Sequence, residues 1–372
     1  MIDKLIQVEL YPFKVTIDWN LVESFPAFQQ LKDTPQSPIW HAEGNAWIHT
    51  KEVTHWAIYY AKNLGLNIPE TKVLVLAALF HDIGKSITTF TDENGKIHSY
   101  KHEYDSEKFA RRILWDSDVE MRERICTLVR YHMKMHQLKE KQYYNKFKDA
   151  LNSIIEQVPD FYLLSILALC DTKGAKYDPE AYEKDVEFME EVCSFAYKSV
   201  RRTHDYRELW FTLKEPIVIR VFMGLSGSGK TTELQDYITK HKKSEGSYII
   251  LSRDLIRIEL GYCTEDKKYL GTKEEENKVT EIFNQRFKDA LDHKLEIYID
   301  NMNLRACYRD EYKKLAGKHN VCWTYVYVQP SDININYERR PEISKSIFDE
   351  MIQKMDWPTP DEYDYLTIIN HE

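Results

Sequence analysis

Gly224-Leu-Ser-Gly-Ser-Gly-Lys230-Thr231 follows a short β-rich run, Ile217–Met223, and opens a helical stretch at Lys230. The octapeptide fits G-x-x-x-x-G-K-[ST] without a gap. Gly224, Gly227 and Gly229 let the backbone turn tightly, so that the N–H groups of this loop, Ser226 and Ser228 included, aim at phosphate oxygens. The helix that begins Lys230-Thr231-Thr232 adds partial positive charge. Lys230 is expected to reach the β- and γ-phosphates and Thr231 to ligate Mg²⁺, so the donor is ATP or another NTP. Strand, loop, Lys and Thr standing together in register set this apart from a chance glycine-rich turn.

Working outward, Tyr248–Leu251, Glu296–Ile299 and Thr324–Val328 are further strand-like runs, separated by helical stretches such as Glu274–Leu291. Strand–helix alternation predicts an α/β domain with a parallel sheet covered on both faces. Ser252-Arg253-Asp254-Leu255-Ile256-Arg257 then falls at the carboxyl edge of that sheet, where ligands sit in open α/β folds. A hydroxyl acceptor needs a carboxylate to take its proton, and Asp254 suits that role. Arg257 suits an anionic part of the acceptor. An ordinary helix cap at Asp254 with a surface Arg is the alternative reading. Asp300-Asn301-Met302-Asn303-Leu304 ends another strand, where an Asp helps to hold Mg²⁺ or positions a neighbouring loop. Arg339 and Arg340, in Tyr337-Glu338-Arg339-Arg340-Pro341 before a helical Ser344–Met355, suit a lid that neutralises transition-state charge, with a solvated charged loop as the alternative reading.

Together these pieces resemble the polynucleotide 5′-kinase family of P-loop phosphotransferases, over roughly the last 155 residues. The resemblance implies that Asp254 is the general base, that Arg257 grips the acceptor phosphate, and that the lid arginines engage ATP. Leu255 stands where many relatives carry a second Asp, which leaves Asp254 as the segment's only carboxylate.

The half preceding the loop reads differently. Lys51–Leu64, Thr71–Phe80, Asp105–Leu114, Asp118–Tyr131, Phe161–Leu169 and Pro179–Val200 show helical periodicity, and Pro35, Pro38 and Asp92–Gly95 mark loops. His81-Asp82 ends an apolar helical run, and Asp171 follows another, Ile166–Cys170. Polar groups so placed enter a buried region and need strong partners. Imidazoles and carboxylates are the usual ligands of borderline divalent ions, so metal coordination accounts for both positions.

This arrangement resembles the HD phosphohydrolase superfamily, an all-helical metal-dependent fold, over about residues 30–200. The resemblance implies His49, His81, Asp82 and Asp171 as ligands of a first metal. His102 and His132 would complete a second, bridged by Asp82. Lys85 would face the substrate phosphate. The ions implied are one or two divalent transition metals such as Mn, Ni or Co. The segment from His41 to His49 and His102-Glu103 look like HD modules attached to RNA-processing enzymes. His55, His98, His136 and His204 fall outside the pattern and are read as surface or core histidines.

An HD module ahead of a P-loop module resembles the HD-domain polynucleotide kinases, bifunctional end-healing enzymes. The fold class implied is multidomain: an all-α HD domain at 1–208 and an α/β P-loop kinase domain at 215–372, with the boundary in Arg201–Pro216. The implied substrates are RNA or DNA ends, and the implied downstream partner is a polynucleotide ligase. A small-molecule kinase fused to a nucleotidase, and a nucleotide-sensing regulator, are the rival readings.

Bulk properties agree. The chain has 372 residues, 43% hydrophobic and 30% charged, which fits two globular domains. A formal net charge of -9 argues against a broad basic face for non-specific duplex binding. The six cysteines form no CxxC pair and are expected as buried free thiols. No apolar run approaches the roughly 20 residues of a membrane helix, and no leader segment is evident, so no membrane and a cytoplasmic location are expected.

Overall fold

A computed structural model describes residues 1–142, 146–200, 216–244, 246–263 and 272–371. The chain divides into two compact units, Met1–Trp210 and Phe211–Glu372. Of the stretch expected to hold the boundary, Arg201–Pro216, all but Pro216 lies outside the described residues, His204 included.

The first unit is helical: α1 (Ile2–Leu5), α2 (Trp19–Ser24), α3 (Pro26–Leu31), α4 (Ala46–Asn63), α5 (Ile68–Phe80), α6 (Lys85–Thr88), α7 (His102–Ile113), α8 (Val119–Gln142), α9 (Phe147–Gln157), α10 (Phe161–Gly174) and α11 (Pro179–Val200). Two short antiparallel hairpins accompany them, β1–β2 (Ile6–Leu10, Phe13–Ile17) and β3–β4 (Thr89–Thr91, Ile97–Ser99). Helix α5 starts on an Asn67/Glu70 capping box with Pro69 in its first turn, and every residue from Val73 to Phe80 is buried. Helix α10 is likewise buried nearly all round. Helices that are apolar on all faces belong at the centre of a bundle. These two pack against each other and against α4 and α8.

The expected helices all form, and several reach further than their apolar periodicity suggests. Helix α4 begins at Ala46, where the Asn45 side chain accepts from the Ile48 N–H. Helix α8 runs to Gln142 rather than ending at Tyr131, and so carries both His132 and His136. Asp171 lies inside the last turn of α10 rather than after it. The Arg111 guanidinium bonds the buried Glu123 carboxylate at 2.8 Å and 3.1 Å, which ties α7 to α8 and thereby His102 to His132.

The second unit is a five-stranded parallel sheet in the order β6-β7-β5-β8-β9. Its strands are β5 (Ile217–Met223), β6 (Tyr248–Leu251), β7 (Glu296–Asp300), β8 (Val321–Pro330) and β9 (Tyr365–His371). Helices α12 (Lys230–Lys240), α13 (Arg253–Glu259), α14 (Lys273–Asp292), α15 (Ala306–Ala316), α16 (Ile333–Arg339) and α17 (Lys345–Gln353) connect them. Central strand β5 is flanked by β7 on one side and β8 on the other, so the topological switch point lies at its carboxyl end. That end is Gly224. Strand β9 escapes sequence reading because its residues are half-exposed edge positions with Thr367, Asn370 and His371 among them.

The six cysteines are free, as expected, but not all buried: Cys307 is exposed, and Cys193 and Cys263 are half-buried. Among the described residues no single helix is long and apolar enough to cross a membrane.

Candidate metal centre and nucleotide site

The carboxyl ends of α5 and α10 bring His81, Asp82 and Asp171 together in the interior of the first unit. His49 from α4 stands with its Nε2 2.8 Å from Asp171 Oδ1 and 3.7 Å from Asp82 Oδ2. His81 Nε2 is 3.2 Å from Asp82 Oδ2 and 3.6 Å from Asp171 Oδ1. On the other side of Asp82, Oδ1 lies 3.0 Å from His102 Nε2 and 3.9 Å from His132 Nε2. The ligand atoms form two convergent sets, His49/His81/Asp171 and Asp82/His102/His132. Asp82 turns one oxygen to each. A third set, His41/Glu43/His49, adjoins the first.

Three of the four imidazoles have their Nδ1 hydrogen-bonded to a main-chain carbonyl, and the fourth, His49, has a carboxylate beside it. His81 Nδ1 donates to the Ala78 carbonyl at 2.7 Å, His102 Nδ1 to Ser99 at 2.9 Å, and His132 Nδ1 to Val129 at 2.7 Å. His49 Nδ1 lies 2.9 Å from Glu43 Oε1. A neutral imidazole that donates through Nδ1 presents a lone pair at Nε2. Four Nε2 atoms and two carboxylates therefore converge, and His81 Nε2 and Asp82 Oδ2 are buried without a hydrogen-bond partner. Burial pushes imidazoles towards neutrality, and at His132, with His81 and His102 beside it, the pKa falls to about 3. At His81 the Asp82 and Asp171 carboxylates outweigh burial and raise it to about 10. Such a set calls for cations, and its N/O donors suit borderline divalent ions.

Gly84 lets this turn meet the start of α7. A methyl there would stand 2.3 Å from the His102 carbonyl oxygen and 2.6 Å from the Ser106 nitrogen. Lys85 Nζ sits 2.6 Å from Asp82 Oδ2 and donates to Gln36 Oε1 at 2.8 Å. A cavity of about 390 Å³ opens on the cluster, with Asp82, Lys85, His102 and Asp171 in its wall.

Two contributors went unread in the sequence. His136, expected outside the site, lines the cavity with its Nε2 2.8 Å from Asp171 Oδ2. Its position four residues after His132, on the same helical face, was the available signal. The Glu43 carboxylate accepts from His41 Nδ1 at 2.8 Å and stands 2.9 Å from His49 Nδ1. Glu43→Ala is expected to weaken metal affinity by about 10- to 100-fold, as loss of an outer-shell carboxylate does. Metal titration against a chelator measures this, and wild-type affinity in the variant would remove Glu43 from the centre. His98 pairs with Asp92 and His55 is exposed, as expected of surface histidines.

In the second unit the phosphate loop joins β5 to α12. A Cβ on Gly224, at φ +148°, would stand 2.3 Å from the Val328 carbonyl oxygen. The strand end after β7 ties the site together through three side chains. Asp300 Oδ2 accepts from the Thr231 hydroxyl at 2.7 Å, Asn301 Oδ1 accepts from the Arg253 N–H at 3.0 Å, and Asn303 donates to the Phe222 carbonyl at 2.7 Å. Lys230 Nζ donates to the Leu225 carbonyl at 2.8 Å. Arg339 donates to the Gly227 carbonyl at 3.2 Å and Arg340 to the Ser226 hydroxyl at 2.7 Å, so both arginines rest on the loop itself.

A cavity of about 530 Å³ is lined by Ser226, Gly227, Gly229, Lys230, Thr231, Thr232, Asp254, Asp300, Arg339 and Arg340. Ser228 is buried beneath it. Ser252, not Asp254, occupies the cap position of α13, which leaves the half-exposed Asp254 carboxylate free of that task. Arg257 is held by Glu276 at 2.7 Å and 3.0 Å and by Asp254 at 2.6 Å rather than extended into the cavity. His371 at the end of β9 lines the cavity and pairs with Glu233 at 3.1 Å; nothing in the sequence pattern marked it.

Residues 46–160 match a family model described as HD domain, and residues 219–341 match one described as AAA domain. The chain thus carries a helical HD-domain match followed by an α/β match to the AAA domain model. A 120-residue stretch is 32% identical to the Multifunctional CCA protein of Actinobacillus pleuropneumoniae, in serotypes 5b and 7 alike. That match takes in 31% of this chain and only 27% of those relatives' length. Among solved structures, a sugar kinase from Janibacter is 17% identical, with 42% of this chain and 86% of that chain covered and a TM-score of 0.31. A gluconokinase from Sinorhizobium meliloti is 14% identical, with 42% and 84% covered and a TM-score of 0.27.

Proposed function

We propose that this chain heals broken nucleic-acid ends, its P-loop domain phosphorylating 5′-hydroxyl termini and its HD domain removing 2′,3′-cyclic, 3′- or 2′-phosphates. The observation that carries the reading is a phosphate-donor cavity with an acceptor carboxylate, Asp254, on the same chain as a buried two-set His/Asp cluster. One site is equipped to add a phosphate and the other to release one.

In the kinase reaction the 5′-oxygen forms a bond to the γ-phosphorus as the bond to the β,γ-bridging oxygen breaks and ADP departs. The acceptor proton passes to the Asp254 carboxylate. Lys230 and the two arginines neutralise charge on the transferring group, and Thr231 with Asp300 would hold Mg²⁺. Arg257 reaches an acceptor phosphate after exchanging a carboxylate partner.

In the HD domain His49, His81, Asp82 and Asp171 would hold one divalent ion, and Asp82, His102 and His132 a second. Bound there, such ions supply an activated water and a clamp for the ester oxygens. Lys85, fixed by Gln36 and Asp82, presents its ammonium to the phosphate at the cavity floor. The kind of ion is Mn, Ni, Co or similar, in keeping with the imidazole share of the ligands.

The test is a panel of 5′-hydroxyl and 2′,3′-cyclic-phosphate RNA and DNA oligonucleotides, with free nucleosides alongside and several divalent ions supplied. Phosphate transfer to oligonucleotide ends and release of terminal phosphates are expected. Transfer confined to free nucleosides would replace end healing with nucleotide metabolism.

A further inference from the structure

The HD cavity has a second wall that the metal cluster does not use. Ser37-Pro38-Ile39-Trp40 leaves two large apolar side chains in solvent, Ile39 at 67% and Trp40 at 56% exposure. Trp40 meets Tyr177 edge to face, with ring centroids 5.8 Å apart, and both rings line the cavity together with Asp82 and Lys85. The Tyr177 hydroxyl is tied to Asp185 at 2.9 Å, and its ring leans on Tyr182.

This wall is braced. The His41 N–H donates to the Ser37 carbonyl, the Ala42 N–H to the Lys176 carbonyl at 2.7 Å, and the Lys176 N–H to Glu43 Oε2 at 2.8 Å. The Trp40 loop is thereby stitched to the segment that bears Tyr177. The same Glu43 carboxylate orients His49, so rim and metal centre share one anchor.

Gln36 supplies an independent sign of a ligand. The Lys85 ammonium can only donate, so its contact with Gln36 fixes the amide oxygen on that side and turns the NH₂ the other way. That nitrogen is buried and has no partner, in a side chain that is 7% exposed and lines the cavity. A buried donor of this kind costs stability until an acceptor arrives.

We propose that Trp40 and Tyr177 seat the nucleobase of the terminal nucleotide whose phosphate ester the HD centre cleaves, with the Gln36 amide donating to an oxygen of the same nucleotide. The inference rests on the end-healing reading. An aromatic face, an unpaired donor, an ammonium and a phosphoester centre in one cavity match a nucleoside phosphate. The volume suits a single nucleotide rather than a longer strand.

The test compares kcat/KM on cytidine 2′,3′-cyclic phosphate with that on base-free methyl riboside 2′,3′-cyclic phosphate. Wild type is expected to prefer the nucleoside ester. Trp40→Ala lowers that preference about tenfold, in the range of a lost base–aromatic stack, while Trp40→Phe retains it. Calorimetry with cytidine 3′-phosphorothioate shows a matching loss of affinity in Trp40→Ala. An unchanged preference in a folded, metal-loaded Trp40→Ala protein overturns the base seat, as does a wild type indifferent to the base. If wild type cleaves neither ester, end healing by this domain falls and takes the base seat with it.

Discussion

Asp82→Ala lowers hydrolysis of 2′,3′-cyclic-phosphate ends about a thousandfold or more and leaves 5′-phosphorylation within about twofold. Asp82 is the one residue with an oxygen in each ligand set, Oδ2 towards His49 and His81 and Oδ1 towards His102 and His132. It also pairs with Lys85. Its removal leaves buried lone pairs with no shared anion between them, so both ion positions fail together. Asp82→Asn keeps the shape and removes the charge, which separates loss of the bridge from loss of packing. Metal content by mass spectrometry should fall in both variants while the helical circular-dichroism signal persists. Full phosphatase activity in either variant would place the hydrolytic chemistry elsewhere.

Lys230→Ala is expected to do the reverse. Lys230 stands at the first position of α12, buried, with its ammonium donating to the Leu225 carbonyl of the loop. Removing it costs a transition-state contact, worth about 100- to 1,000-fold in kcat. Transfer of labelled γ-phosphate to a 5′-hydroxyl oligonucleotide reads the loss, and cleavage of cyclic-phosphate ends serves as the internal control. Loss of both activities in a folded protein would show that the two sites are not independent.

The phosphate loop was legible because its chemistry demands local residues in a fixed order. The HD cluster was legible for a different reason. His81, Asp82 and Asp171 interrupt runs so apolar that a polar group there needs an exceptional partner. What escaped lies on polar backgrounds. His136 sits in a helix whose later turns are charged, Glu43 in a loop, and Gln36 beside Pro35, and none contrasts with its neighbours. Strand β9 and the two hairpins were missed because short or half-exposed strands carry little alternation, and their pairing partners are distant in sequence or too brief to register. Arg257 shows the limit of motif reading in another way: spacing put it near the acceptor, but Glu276, nineteen residues on, competes for it.

The Nδ1 contacts of the four histidines have a consequence for how this centre can vary over evolution. His81, His102 and His132 are oriented by main-chain carbonyls three residues earlier. No point mutation deletes a carbonyl, so these three imidazoles keep their aim whatever side chains drift around them. His49 alone among the four depends on a side chain, Glu43. Among these four imidazoles, re-aiming by side-chain substitution is therefore concentrated at Glu43, and the same codon also holds the Trp40 loop in place.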